Sequence, residues 1–175
     1  MHKDISKSIN NLPTVSATIK QYNLFANKKL SQNFILDLNL TNKIVNLSNT
    51  IENNTIIEIG AGPGSLTRSI LLNGAKKIII IEKDKRFIDP LNILNIASEN
   101  RIIIENHDAI KVDLNDILEK YNVDQAEIIA NLPYSIATKL LLNWLPFHNK
   151  INKMTLMFQK EVAERIVAKP GSKKY

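Results

Sequence analysis

The 175-residue chain contains no cysteine. That excludes a disulfide framework, a cysteine-based zinc site and a thiol nucleophile, and it fits a reducing compartment. No apolar run approaches the roughly 18 residues needed for a membrane-spanning helix. The start, Met1-His2-Lys3-Asp4, lacks the apolar core of a signal peptide. The expectation is a soluble, cytoplasmic protein. Internal repeats and low-complexity linkers are also missing. What remains is ordinary globular material, with 44% hydrophobic and 23% charged residues, and a chain of this length can bury a core without a metal or covalent staple. Isoleucine, asparagine and lysine are heavily used.

The formal charge of +6 is unevenly placed. Residues 1–50 carry six lysines against two acids, residues 51–130 nine bases against thirteen acids, and residues 131–175 eight bases against two acids. Positive charge at the two ends with an acidic middle points to a polyanionic partner met by the end segments; a solvated lysine-rich surface reads the same way.

From Thr55 onward, short isoleucine-rich runs alternate with helical segments. The runs are 55–59, 77–81, 102–105, 128–130 and 155–158. They are continuously apolar rather than alternating, as in strands covered on both faces of a parallel sheet. Segments 65–72, 85–97, 114–121 and 136–142 suit crossover helices, and 160–168 a helix after the fifth run. The rhythm βαβαβαβαβα predicts an α/β fold with a doubly wound, mostly parallel sheet. Residues 1–54 read as a mostly helical segment (16–22 and 37–48, with Asp37 as N-cap) ahead of a core at 55–175.

Ligands of such sheets bind beyond the carboxyl ends of the strands. Four of those ends carry conspicuous residues: Glu58-Ile59-Gly60, Glu82, Asp108 and Asn131. The first turn, Gly60-Ala61-Gly62-Pro63-Gly64-Ser65, has Ser65 where a dinucleotide fingerprint wants its third glycine. A carboxylate before the turn, Glu58, is awkward for a pyrophosphate but suits a ligand carrying an ammonium and a sulfonium. The pattern resembles the first motif of S-adenosylmethionine methyltransferases. Glu82, twenty-two residues after Gly60, is spaced to accept from both ribose hydroxyls, although it also opens the charged run Glu82-Lys83-Asp84-Lys85-Arg86. Asp108 can accept from an adenine amine or cap a helix. His107 reads as a surface or packing residue. In Asn131-Leu132-Pro133-Tyr134 the asparagine oxygen and a nearby carbonyl can accept both hydrogens of an exocyclic amine, and Tyr134 offers a face for an unpaired base.

The chain at this point resembles the ribosomal RNA adenine N6,N6-dimethyltransferase family. The likeness runs over residues 24–175. It includes Lys28-Lys29-Leu30-Ser31-Gln32-Asn33-Phe34-Ile35, residues 58–64, Glu82, Asp108-Ala109, residues 131–134, Phe158-Gln159-Lys160-Glu161-Val162 and the closing residues 169–175. Ser31 stands for the family's glycine and Ile35 for its leucine. The resemblance implies a class I, Rossmann-like methyltransferase with S-adenosyl-L-methionine held at Asn33, Ile35, Gly60, Glu82, Asp108 and Asn131, and with Asn131, Pro133 and Tyr134 at the target adenine. It implies dimethylation of two adjacent adenosines near the 3′ end of small-subunit ribosomal RNA during ribosome assembly. Methyl transfer would be a direct in-line displacement by adenine N6, without metal or covalent intermediate, on a base taken out of its stack. Lys28, Lys29, Lys169, Lys173 and Lys174 become candidate phosphate contacts of a monomer on the small-subunit particle. The sister group acting on large-subunit RNA shares these motifs, and a non-catalytic nucleic-acid-binding factor on the same scaffold is the reading from another class. A nicotinamide dehydrogenase is disfavoured by Ser65 and by the lack of a catalytic His/Lys pair. The resemblance further implies that the chain stops early, ahead of two more strands, a phenylalanine-bearing segment and a helical domain.

Overall fold

A computed structural model describes residues 5–26, 33–48, 50–147 and 149–173. Five strands, β1 (Thr55–Ile59), β2 (Ile78–Ile81), β3 (Ile102–Glu105), β4 (Ala126–Asn131) and β5 (Ile151–Met157), form one sheet in the order β3-β2-β1-β4-β5. Every pairing is parallel. Helices α1 (Ser6–Asn10), α2 (Val15–Gln21) and α3 (Leu38–Val45) precede β1. Helices α4 (Ser65–Leu72), α5 (Ile88–Ala97), α6 (Leu114–Lys120), α7 (Ala137–Trp144) and α8 (Lys160–Ile166) follow β1 to β5 in turn.

The continuous isoleucine runs are explained by helices on both sheet faces. Ile56, Ile78, Ile80 and Ile129 face a core shared with α4 and α5 and with Ile5, Ile9, Leu24, Ile44 and Val45 from the residues before β1. Ile57, Ile59, Ile79, Ile81, Ile128 and Ala130 face the opposite core with α6 and α7, where Trp144 is 2% exposed. Among the described residues no helix is long and apolar enough to cross a membrane.

Several boundaries depart from the sequence expectation. Strand β4 starts at Ala126 rather than 128, and its polar Glu127 is fully buried because its Oε2 accepts from the hydroxyls of Ser48 (2.7 Å) and Thr50 (3.1 Å). Strand β5 starts at Ile151 rather than 155: among the described residues it pairs only with β4, and its mixed residues Asn152 and Lys153 hide the strand from an apolar-run reading. The segment 85–97 splits into a 3-10 turn, Lys85–Phe87, capped by Asp84, and then α5. Asp37 caps α3 as expected, its side chain accepting from the Asn39 amide, but the helix ends at Val45 rather than 48. Helix α1 has no counterpart in the sequence reading.

Candidate functional site

Strand β1 sits between β2 and β4, so the chain leaves the sheet in opposite directions at the carboxyl ends of β1 and β4. This is the topological switch point where open α/β sheets bind ligands. A cleft of about 250 Å³ opens there. Its walls come from the glycine turn, the ends of β2 and β4, the segment after β3 and residues 33–35.

The turn depends on glycine. Gly60, Gly62 and Gly64 have φ of +70°, +53° and +86°, a region that side chains strongly disfavour. Gly64 is the N-cap of α4, and a Cβ there would stand 3.3 Å from Leu94 Cδ2. At Gly60 a Cβ would meet nothing within 4 Å, because this residue faces the open cleft.

Two buried carboxyls lie beside the turn. Glu82 accepts from the Gly62 amide at 2.9 Å and from the Asp84 amide at 2.8 Å, tying the glycine turn to the end of β2. Burial raises its pKa against these backbone bonds. Glu58 is 1% exposed. Burial pushes its carboxyl up to about 8, with Thr67 opposing and the neighbouring Glu82 adding to the rise. Among the described residues its Oε2 has no hydrogen-bond partner, nor has the Ser65 hydroxyl, and both residues line the cleft. Unsatisfied buried acceptors next to an opening are costly unless a ligand completes them.

Asp108 takes the capping role read from the sequence and also lines the cleft. It caps the 3-10 turn Ala109–Lys111 through the Ile110 amide (3.1 Å), and its Oδ2 accepts from Lys83 Nζ at 2.9 Å. The Lys83 hydrogen bond holds its carboxyl below the ordinary range. It still lines the cleft, beside the apolar Ala109 and Ile110. His107 lines the cleft as well, and its Nε2 lies 3.3 Å from Glu105 Oε2. Against the effect of burial, Lys120 and Tyr121 hold Glu105 ionised.

Asn131 ends β4 half-buried, with its Nδ2 donating to the Asn33 carbonyl at 3.0 Å. Asn33 and Ile35 join the same wall, and Phe34 between them packs edge-on against Phe87 with ring centroids 5.6 Å apart. The Pro133 carbonyl accepts from the Ile136 amide at 3.1 Å, closing the turn into α7, and keeps a second lone pair. Tyr134 is 39% exposed and is not among the residues that line the cleft.

The structure therefore brings Asn33, Ile35, Gly60, Glu82, Asp108, Asn131 and Pro133 to one cleft. Lys169 and Lys173 are exposed beyond α8, whereas Lys28, Lys29 and Lys174 lie outside the described residues. The sequence reading assigned no role to Phe34, Ser65, Lys83 or Phe87. Lys83 and Phe87 sit in or beside the charged run at 82–86, where spacing alone does not say which cation reaches Asp108.

The sequence model of the family described as ribosomal RNA adenine dimethylase matches residues 23–175. A protein of Xanthobacter autotrophicus named ribosomal RNA small subunit methyltransferase A is 45% identical over 171 residues, covering 96% of this chain and 58% of its own length. Its namesake in Azorhizobium caulinodans is 46% identical, with the same coverage. The chain thus spans about three fifths of the curated relatives it matches. Among solved structures, a dimethyladenosine transferase from Plasmodium falciparum is similar with a TM-score of 0.65 and 31% identity, over 79% of this chain and 48% of that one. A protein of Pyrococcus horikoshii, at 19% identity and a TM-score of 0.66 over 95% of this chain and 79% of that one, shares the fold.

Proposed function

The chain belongs to the ribosomal RNA adenine dimethylase family, and from that premise we propose that it binds S-adenosyl-L-methionine in the cleft and serves methyl transfer to N6 of adenosines in small-subunit ribosomal RNA. The observation that carries this reading is the convergence of Glu58, Glu82, Asp108 and Asn131 on one cleft beside three left-handed glycines. The residues fit the cofactor. Glu58 Oε2 and Ser65 Oγ are buried acceptors awaiting a partner, and a cationic ammonium or sulfonium is a partner that a buried carboxyl favours. Gly60 leaves room for close approach to the backbone.

When bound, S-adenosylmethionine supplies an electrophilic methyl on its sulfonium. Glu82 would accept from the ribose hydroxyls. Asp108 would accept from the cofactor's adenine amine, with Ala109 and Ile110 against that ring. Asn131, its Nδ2 engaged by Asn33, turns its Oδ1 to the target amine; this orients the nitrogen lone pair and stabilises the positive charge that develops there. Positioning supplies the acceleration, and no side chain needs to take the proton before the carbon–nitrogen bond forms. Tyr134, next to the cleft-lining Pro133 and 39% exposed, would offer its ring to a base leaving its stack. Small-subunit particles in assembly are the proposed partner, met by a monomer.

Incubation with methyl-labelled cofactor and either immature small subunits or large-subunit RNA tests this, with nucleoside analysis of the product. Label in N6-methylated adenosine from small-subunit RNA is expected. Label confined to large-subunit RNA would move the chain to the sister activity, and binding of RNA without label would make it a non-catalytic factor.

A further inference from the structure

Asn33 and Asn131 are 98 positions apart and meet in one hydrogen bond, from Asn131 Nδ2 to the Asn33 carbonyl. A primary amide can be turned end for end with almost no change of shape, yet its two ends have opposite hydrogen-bonding sense. Something must fix which end faces the cleft. We propose that the backbone carbonyl of Asn33 is a positioning group for methyl transfer: by taking the Asn131 amide hydrogen, it commits Oδ1 to the target amine. The inference rests on the cleft being the S-adenosylmethionine and adenine site.

The contact also joins two halves of the cleft. Asn33 continues into Phe34 and Ile35. The Phe34 ring lies 3.6 Å from where a Cβ on Gly62 would stand and packs on Phe87, so residues 33–35 are seated against the glycine turn. The acceptor for the target base is thereby tied to the segment that lines the cofactor's side.

A requirement on position 131 follows: one donor and one acceptor on a short stem. Asparagine meets it. An ionised aspartate does not, because both its oxygens accept and one would face the Asn33 carbonyl. Were that carbonyl irrelevant, aspartate would be the better residue, since its charge attracts a cationic cofactor and an amine that turns positive. The two accounts differ in sign.

The test is calorimetric titration of S-adenosylmethionine into wild type, Asn131→Ala and Asn131→Asp, with kcat measured separately on small-subunit RNA. Glu58 from β1, Glu82, Lys83 and Asp84 from the end of β2, and His107 and Asp108 after β3 line the same cleft, so the variants are compared at matched pH. At about pH 8.5, where an introduced carboxyl is ionised, the affinity order expected is wild type, then Asn131→Ala, then Asn131→Asp. The aspartate variant should lie roughly three- to tenfold below the alanine one. The value of kcat should follow the same order. In a double-mutant cycle, Phe34→Ala should weaken wild type more than it weakens Asn131→Ala. Asn131→Asp binding as well as or better than Asn131→Ala at about pH 8.5, or strict additivity in the cycle, would overturn the positioning role. A wild type that binds no S-adenosylmethionine would overturn the cofactor reading, and this inference with it.

Discussion

Glu58 concentrates the chemistry of the cleft in one side chain. Its carboxyl is buried, has an oxygen unpartnered among the described residues and has a pKa raised to about 8. The folded state therefore holds a proton that the unfolded chain releases near pH 4.5. Stability contributed by this site is unaffected below the unfolded value and is lost as pH rises from there to about 8. Glu58→Gln should flatten that decline, which urea denaturation across the pH range will check. Cofactor binding should respond in the opposite direction. A cationic ligand favours the carboxylate, so binding releases a proton and affinity rises with pH up to about 8. Titrations in buffers of different ionisation enthalpy should show that proton in wild type and none in Glu58→Gln. Equal proton release in both would detach the cation from Glu58.

At the scale of elements, Trp144 anchors α7 against the face formed by β4 and β1, buried with Leu140, Ile128 and Ala130. Trp144→Ala should cost about 3–5 kcal/mol through lost burial and the cavity left behind. A loss below about 1 kcal/mol in chemical denaturation would mean that α7 is held by something else. The elements legible in the sequence were those whose apolar runs are unbroken by charged or amide residues at their start. Strands β1 and β3 match the reading residue for residue, and β2 to within one. The starts of β4 and β5 were hidden by Glu127 and by Asn152-Lys153, polar residues whose place depends on partners distant in the chain or on an edge position. The same limit holds at the site. Glycine spacing and the acids at strand ends announce themselves locally. The Lys83–Asp108 pair, the Phe34–Phe87 contact and the Asn131–Asn33 bond join residues brought together only by the fold.

For the whole molecule, the acidic middle and basic ends take on a spatial meaning. The acids at residues 58, 82 and 108 line the cleft, where they suit a cationic ligand, while Lys169 and Lys173 stand exposed beyond α8. If these lysines meet phosphates, neutralising both should weaken binding to single-stranded RNA and lower the salt slope by about one to two. A slope that does not respond would return them to the solvated surface. Cofactor affinity should be untouched, since neither lysine lines the cleft.

The central claim is that the cleft at the ends of β1, β2 and β4 holds S-adenosylmethionine, with Glu82 as the acceptor for its ribose. Glu82 is also the acceptor for the Gly62 and Asp84 amides, so on this proposal its removal would leave them and the ribose hydroxyls without their acceptor. Calorimetric titration of S-adenosylmethionine into wild type and Glu82→Ala tests this most directly. The expected loss is about 1–3 kcal/mol of binding free energy, roughly five- to more than a hundredfold in Kd, with the variant still folded. Undiminished affinity in Glu82→Ala would contradict the assignment.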